Sequence, residues 1–273
     1  MQRNRQVVHA APGCPVVLVH GWNSHPGVWN RLALRLEAAS RPCWRFDHSQ
    51  LVTQGLRGRA AALASFVEAQ RDETGYDGHI DFVCHSFGTC IARQYLEVAD
   101  GSLRRERVRR LIGLGPPNNG SALAELFSDP RQGPVIIRRL AGVFVPEGFD
   151  PFADPIVQDI RPNAEAMQRL RTAGLRPDIL YGVIVTGNPG GDPGFFPWFG
   201  GRTWAQDGAA ELAVLEGDGC IAHAESALPG VPLELIVPEP DSPVPPLHYC
   251  HIYLPRNPRV IDRVIAQLST PLL

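Results

Sequence analysis

Short apolar runs alternate with amphipathic stretches along most of the chain. The runs are rich in β-branched residues and are bounded by glycine, proline or polar residues, as buried strands usually are. Between the runs, apolar residues recur at helical spacing, as Val28, Leu32 and Leu36 do. The strand-like runs are residues 14–22, 43–49, 79–86, 107–117, 177–188 and 233–240, and the helix-like stretches are residues 24–40, 57–75, 87–100 and 257–269. The strand-like runs are too uniformly apolar to have a solvent-exposed face, so the pattern predicts an α/β fold with a mainly parallel sheet and helices on both faces.

Two segments interrupt this alternation. Residues 118–176, which we call the cap segment, separate two strand-like runs by far more than one crossover helix needs and contain three stretches of partial helical periodicity. We expect them to form a helical cap over the carboxyl ends of the strands, where sheets of this class carry their sites. Residues 187–217 are rich in glycine and proline and predict a long irregular loop. With these two insertions, residues 1–273 are expected to form a single domain.

Composition excludes several functional classes. The chain has 273 residues, of which 44% are hydrophobic and 20% charged, which is ordinary for a globular protein. A net charge of -2 argues against nucleic-acid binding, since that requires a clustered positive surface. No window reaches the roughly 18 consecutive apolar residues of a membrane helix. Residues 1–15 lack the apolar run of an intact signal peptide, which favours a cytoplasmic location over secretion.

The sequence CHSFG offers three candidate nucleophiles, Cys84, Ser86 and the nearby Cys90. Ser86 ends a predicted strand and begins a predicted helix, with Gly88 two residues later. A serine at such a turn projects its hydroxyl away from the sheet, beside the free backbone N–H groups of the helix. Both cysteines are expected to pack in apolar surroundings, so the pattern favours Ser86, although a serine here could also simply cap the helix.

A serine nucleophile needs a histidine base, a carboxylate that orients it, and donors for the oxyanion. The first predicted strand ends in VHGW, at the sheet edge where Ser86 is expected. The backbone N–H groups of Trp22 and Phe87 are therefore our candidates for the oxyanion hole.

The sequence resembles the α/β-hydrolase superfamily, especially bacterial serine lipases and esterases, and is also similar to inositol-deacylase-like hydrolases. The motifs that carry this resemblance follow the order of that superfamily over residues 14–268: VHGW, CHSFG, LGPPNNGS, QDIRPNAEAMQRLR, GDGCIAHAESAL and HIYLPRNPRVIDRVI. The resemblance implies an α/β-hydrolase fold, the chain order serine, acid, histidine, and a lid over the acyl site. It implies no cofactor.

The resemblance places the acid at Asp218, with Asp207 as the alternative in a second Asp-Gly pair. It places the base at His251, which precedes the Asn-Pro that opens the last helix, with His248 as the alternative. No histidine has the ligand spacing of a zinc site, so we expect no metal. Cys220 and Cys250 each neighbour a candidate catalytic residue, and a disulfide between them is possible.

The expected function is hydrolysis of carboxylic esters through an acyl-enzyme on Ser86. The alternatives are a thioesterase or an acyltransferase with the same triad, or a binding protein with a hydrolase fold and no turnover. The expected partner is a small-molecule or lipid ester, with transient contact between the cap segment and a lipid interface. The sequence indicates neither the acyl chain length nor the oligomeric state.

Overall fold

A six-stranded parallel sheet forms the centre of the fold, with the strand order β2-β1-β3-β4-β5-β8. The structure is a computed structural model that describes residues 13–207, 210–239 and 242–270. The sheet strands are β1 (Val16–Val19), β2 (Cys43–Phe46), β3 (Ile80–His85), β4 (Val108–Leu114), β5 (Leu180–Thr186) and β8 (Leu233–Ile236). Each strand lies within a run that the sequence predicted, and the predicted α/β-hydrolase class is confirmed.

Helices connect these strands. They are α1 (Asn30–Ala38), α2 (Leu56–Thr74), α3 (Phe87–Arg93), α4 (Ala122–Phe127), α5 (Gly133–Leu140), α6 (Pro155–Asp159), α7 (Glu165–Ala173), α8 (His223–Ser226) and α9 (Pro258–Ser269). Helix α1 packs against α9, and α2 packs against α3. None of the helices in the described residues is long and apolar enough to cross a lipid bilayer.

The buried centre of the sheet decides where the site lies. Every residue of β1 and β3 is buried, because both strands have neighbours on each side and lie within the hydrophobic core. The carboxyl ends of β1, β3 and β4 lie side by side at one edge of the sheet, and Ser86 follows the end of β3 directly.

Both insertions contain regular secondary structure. The cap segment contains α4, α5, α6 and α7. Helix α5 stops at Leu140, where the chain turns through Gly142 at a φ of 75°, although the sequence suggested helical periodicity beyond this point. The predicted irregular loop at 187–217 contains an antiparallel hairpin of β6 (Thr203–Asp207) and β7 (Ala210–Val214), so that prediction was wrong for these residues.

Candidate active site

Ser86 lies at a sharp turn between β3 and α3. Its backbone has φ 52° and ψ -128°, a strained conformation for a residue with a side chain. The turn is held at both ends, because the Ser86 N–H donates to the Leu114 carbonyl at 2.9 Å and the Ser86 carbonyl accepts from the Thr89 N–H at 2.9 Å. The strain is thus maintained by the surrounding sheet and helix, and the side chain faces a cavity.

Glycines on either side allow this turn to form. A Cβ on Gly88 would lie 2.5 Å from the carbonyl oxygens of Val19 and His20, so only glycine lets α3 approach β1 this closely. A Cβ on Gly21 would lie 3.1 Å from the Cβ of Ser86. The loop after β1 therefore packs directly against the serine turn.

Ser86, His251 and Asp218 form a continuous hydrogen-bonded chain. The Oγ of Ser86 lies 2.8 Å from Nε2 of His251, and Nδ1 of His251 lies 2.6 Å from Oδ2 of Asp218. Because the carboxylate accepts from Nδ1–H, the neutral ring leaves Nε2 free to accept the serine proton. This is the arrangement that activates a serine as a nucleophile.

Asp218 is held rigidly behind the histidine. It is 1% exposed, and its Oδ1 accepts hydrogen bonds from the backbone N–H groups of Cys220 at 3.0 Å and Ile221 at 2.7 Å. The backbone N–H of His251 donates to the Asp218 carbonyl at 2.8 Å. Gly115 lies against this pair, since a Cβ there would be 2.5 Å from Oδ2 of Asp218. Gly115 is not among the site residues predicted from the sequence, although a glycine directly after a buried strand is a signal for a close approach.

The alternative candidates for the base and the acid are His248 and Asp207. His248 is exposed and its ring packs on Tyr253 with centroids 4.9 Å apart, while Ser86 bonds to His251. Asp207 ends β6, but its side chain lies outside the described residues.

The two cysteines near Ser86 are poor nucleophiles. Burial raises the pKa of Cys84 well above its usual range and that of Cys90 to about 12. Both thiols therefore stay protonated at neutral pH. Cys220 and Cys250 are also buried, and both are free, so the disulfide considered from the sequence is not formed.

The oxyanion-hole candidates meet at the same cavity. Trp22 and Phe87 both line it, and Phe87 is the first residue of α3. Within the described residues, neither backbone N–H donates to a protein acceptor. Free N–H groups beside a serine hydroxyl are what a developing oxyanion requires.

Trp22 also connects this loop to the cap segment. Its indole Nε1–H donates to Oδ2 of Asp154 at 2.9 Å, and its ring packs against three phenylalanines of the cap segment. Asp154 at the same time caps α6, because its Oδ1 accepts from the N–H groups of Ile156 and Val157. The tie joins residues 132 positions apart, so sequence patterns could not reveal it.

A buried cluster of His20, His48 and Arg59 holds the backbone of the loop after β1 through hydrogen bonds. The rings of His20 and His48 stack with centroids 3.8 Å apart. Nε2–H of His48 donates to the His20 carbonyl at 2.9 Å, and Nδ1 accepts from Arg59 at 2.6 Å. Burial lowers the pKa of His48 to about 3, and the positive charge of Arg59 contributes to this shift.

His20 itself is neutral in this arrangement. Its Nε2 lies 3.4 Å from Asp47, which would favour a charged ring, but burial is stronger and lowers the pKa of His20. The neutral ring donates from Nδ1 to the Gly21 carbonyl at 2.9 Å. The cluster therefore fixes the backbone on both sides of the His20-Gly21 peptide.

His85 fixes the backbone of His251. Nε2–H of His85 donates to the His251 carbonyl at 3.0 Å, and the two rings lie 4.8 Å apart. Burial, followed by the nearby His251, lowers the pKa of His85 well below its usual range, so the ring is neutral. The sequence analysis excluded His85 as a zinc ligand but did not foresee this bond. Among the described residues, no group of three or more His, Cys, Asp or Glu side chains is placed to hold a metal ion.

The cavity above Ser86 has a volume of about 360 Å³. The cap segment supplies its apolar wall, which consists of Leu123, Ala124, Phe127, Val143, Phe144, Val157 and Ile160. A second part of the lining consists of His251, Ile252, Tyr253 and Arg256, from the short helix that carries the histidine, together with the loop after β1. Its size suits a small ligand or part of a larger one.

Known proteins share this fold over nearly the whole chain. A family model described as alpha/beta hydrolase fold matches residues 15–135. No curated protein matches the sequence. The chain is similar to the mature form of the Bacillus licheniformis lipase BlEst2, with 18% identity, a TM-score of 0.68, and 97% of this chain and 96% of that one covered. The match covers only 52% of the longer propeptide form of that lipase.

Two further solved structures are similar over comparable lengths. One is the metagenomic carboxyl esterase MGS0156, with 17% identity, a TM-score of 0.55, and 95% of this chain and 76% of that one covered. The other is a monoacylglycerol lipase from Paleococcus ferrophilus, with 14% identity, a TM-score of 0.53, and 93% of each chain covered. The chain therefore has the α/β-hydrolase fold, and the resemblance to that superfamily seen in its sequence is confirmed.

Proposed function

We propose that this protein is a serine hydrolase that cleaves carboxylic esters, of the lipase and esterase kind. The observation that supports this most is the hydrogen-bonded chain from Ser86 through His251 to Asp218, with distances of 2.8 Å and 2.6 Å. The similar structures carry the names lipase, carboxyl esterase and monoacylglycerol lipase, which agrees with this chemistry.

The first half of the reaction forms an acyl-enzyme. Nε2 of His251 accepts the Ser86 proton while Oγ attacks the ester carbonyl carbon, and Asp218 stabilises the imidazolium that results. The backbone N–H groups of Trp22 and Phe87 bind the oxyanion, each contributing about 3 kcal/mol in the transition state. As the bond from carbon to the leaving oxygen breaks, His251 returns the proton to the alcohol.

The second half releases the acid. Water enters in place of the alcohol, His251 removes its proton, and the hydroxyl adds to the acyl carbon. The bond to Ser86 Oγ then breaks, and the serine recovers its proton from His251. No step requires a cofactor, because every proton moves between side chains and substrate.

The cavity walls suggest how an ester lies in the site. The leaving oxygen must lie within reach of His251 Nε2, so the alcohol occupies the wall formed by His251, Ile252, Tyr253 and Arg256. The acyl chain then lies against the apolar wall of the cap segment, where its burial contributes about 0.8 kcal/mol per CH₂ group. A cavity of about 360 Å³ favours short or medium acyl chains within the site.

The test is the turnover of Ser86→Ala on p-nitrophenyl butyrate. We expect a loss of at least about a thousandfold with a melting temperature lowered by no more than a few degrees, since alanine keeps the Cβ and loses only the hydrogen bond between Oγ and His251. Ser102→Ala, an exposed serine on a remote turn, is the matched control. Near-normal turnover by Ser86→Ala would overturn the proposed function.

A further inference from the structure

The charge distribution around the cavity is uneven. Arg256 is the one arginine among the described residues that line it, and no aspartate or glutamate lines it. Arg256 ends the helical turn that begins at His251, and its side chain is exposed. A single guanidinium therefore faces the mouth of an otherwise uncharged or apolar cavity.

Two other arginines near this turn pair with carboxylates. Arg35 pairs with Asp262 at 2.8 Å, and Arg259 with Glu239 at 2.5 Å. In contrast, no carboxylate in the described part of the chain lies within 4.0 Å of the Arg256 guanidinium. Its backbone carbonyl is bound by Arg31 at 3.2 Å, which adds a second positive charge nearby. The guanidinium of Arg256 is thus free to bind an anion from outside the protein.

The position of Arg256 indicates which half of an ester it would meet. His251 must reach the leaving oxygen to protonate it, and Arg256 ends the short 3-10 helix that begins at His251 and also lines the cavity. The cap segment supplies the apolar part of the lining.

We propose that the preferred substrate is an ester whose alcohol carries an anionic group, a carboxylate or a phosphate, which Arg256 binds while the acyl chain packs against the cap segment. This inference rests on the proposed ester hydrolysis at Ser86. Arginine suits the role because its planar fork donates two parallel hydrogen bonds to either anion. Since the guanidinium is exposed, solvent and salt weaken the attraction, and we expect a preference of about tenfold.

The experiment compares hexanoate esters of four alcohols of similar size: 4-hydroxybutyrate, 2-hydroxyethyl phosphate, 1-pentanol and choline. For the protein with arginine at 256, kcat/KM should be about tenfold higher for the anionic esters than for the pentyl ester, and lowest for the choline ester. The preference should shrink as salt rises from 0.05 to about 0.5 M. The ratio between the carboxylate and phosphate esters identifies the anion.

Arg256→Gln should remove the preference: the ratio of kcat/KM between each anionic ester and the pentyl ester should fall about tenfold, mainly through a higher KM for the anionic esters. Arg256→Lys should keep part of the preference, and Arg57→Gln, an exposed arginine far from the cavity, should keep all of it. Equal losses on all four esters in Arg256→Gln, or no preference before substitution, would overturn this inference while hydrolysis at Ser86 stands. If no ester is cleaved and Ser86 does not react with a fluorophosphonate, the proposed function fails together with it.

Discussion

The two walls of the cavity above Ser86 are built differently. The wall that carries Ser86 and His251, which we call the sheet wall, is fixed by backbone hydrogen bonds, by the strained turn at Ser86, and by glycines that allow contacts no other residue could make. The wall formed by the cap segment is the cap wall. The cap segment consists of four short helices of 6, 8, 5 and 9 residues, which are too short to be stable alone. The proposed nucleophile and base thus lie on the rigid sheet wall, and the apolar surface proposed to meet the acyl chain lies on the more adaptable cap wall.

Three hydrogen bonds join the loop after β1 and the start of α2 to the cap segment. Besides the bond between Trp22 and Asp154, the side-chain amide of Asn23 donates to the Phe144 carbonyl at 2.7 Å. The backbone N–H of Leu56 donates to Asp159 at 2.6 Å. Because further hydrogen bonds anchor both ends of the cap segment, at Asn118, Asn119 and Arg176, breaking one of the three bonds to the loop after β1 and to α2 should shift the cap segment locally without unfolding the sheet. Damage to the sheet wall should instead abolish turnover or stability.

The largest effect should come from the histidine on the rigid wall. His251→Ala removes the base that accepts the Ser86 proton, so turnover of a p-nitrophenyl ester should fall about a thousandfold or more. His248→Ala, which removes an exposed ring three positions earlier, should stay within about threefold. A greater loss in His248→Ala than in His251→Ala would reassign the base.

The next largest effect concerns the serine turn. Gly88→Ala places a Cβ 2.5 Å from two backbone carbonyl oxygens, which cannot move as a flexible side chain could. We expect a loss of about 3 kcal/mol in unfolding free energy, measured by urea denaturation. Gly190→Ala is the control, since nothing lies within 4 Å of its Cβ position. An unchanged stability in Gly88→Ala would mean that α3 does not pack this closely on β1.

The buried histidine cluster should make the sheet wall sensitive to acid. The pKa of His48 is about 3 in the folded state and about 6.5 in the unfolded state, so below pH 6.5 only the unfolded chain binds this proton. Stability should therefore fall as the pH drops from 6.5 towards 3, by about 2 kcal/mol from this group between pH 6.5 and 5.

The measurement for this effect is the melting temperature from pH 7 to 5. His48→Gln should flatten the pH dependence, because it removes one of the groups whose protonation opposes folding, while His20 and His85 still contribute. His79→Gln, which changes an exposed histidine, should leave the dependence as it is. An equal slope in His48→Gln and the unsubstituted protein would contradict the buried, neutral assignment.

The smallest effect should come from the tie between the walls. Trp22→Phe keeps an aromatic ring and the backbone N–H but removes the indole donor to Asp154. Asp154→Ser keeps a side chain that can cap α6 but removes the carboxylate that accepts from the indole. Each should lower kcat/KM about fivefold, which corresponds to one hydrogen bond of about 1 kcal/mol. The double variant should lose no more than either single one, and fully additive losses would show that the two groups act separately.

The sequence predicted the rigid wall better than the adaptable one for a physical reason. Buried strands must be apolar, and a turn without steric space must contain glycine, so β1, β3 and the turn at Ser86 could be read from local patterns. The hairpin of β6 and β7 is not among the predicted elements. Asp-Gly between two short runs is a hairpin signal, but the sequence interpretation uses Asp207 only as a candidate catalytic acid.

Other features depend on residues that meet only after folding. The bond of His85 to His251 joins positions 166 apart, and the contact of Gly115 with Asp218 spans a comparable distance along the chain. His48 and Arg59 lie in a predicted strand end and a predicted helix, where nothing in the pattern sets them apart. Such contacts carry no local signal, because their residue types are chosen by a neighbour that is remote in sequence.

The most direct test of the whole account is covalent labelling with a fluorophosphonate, with the modified residue identified by peptide mass spectrometry. We expect one label per chain on Ser86, no label in Ser86→Ala, and labelling slowed by at least about a hundredfold in His251→Ala. A label on another residue, or none on a folded protein, would contradict the assignment of Ser86 as the nucleophile.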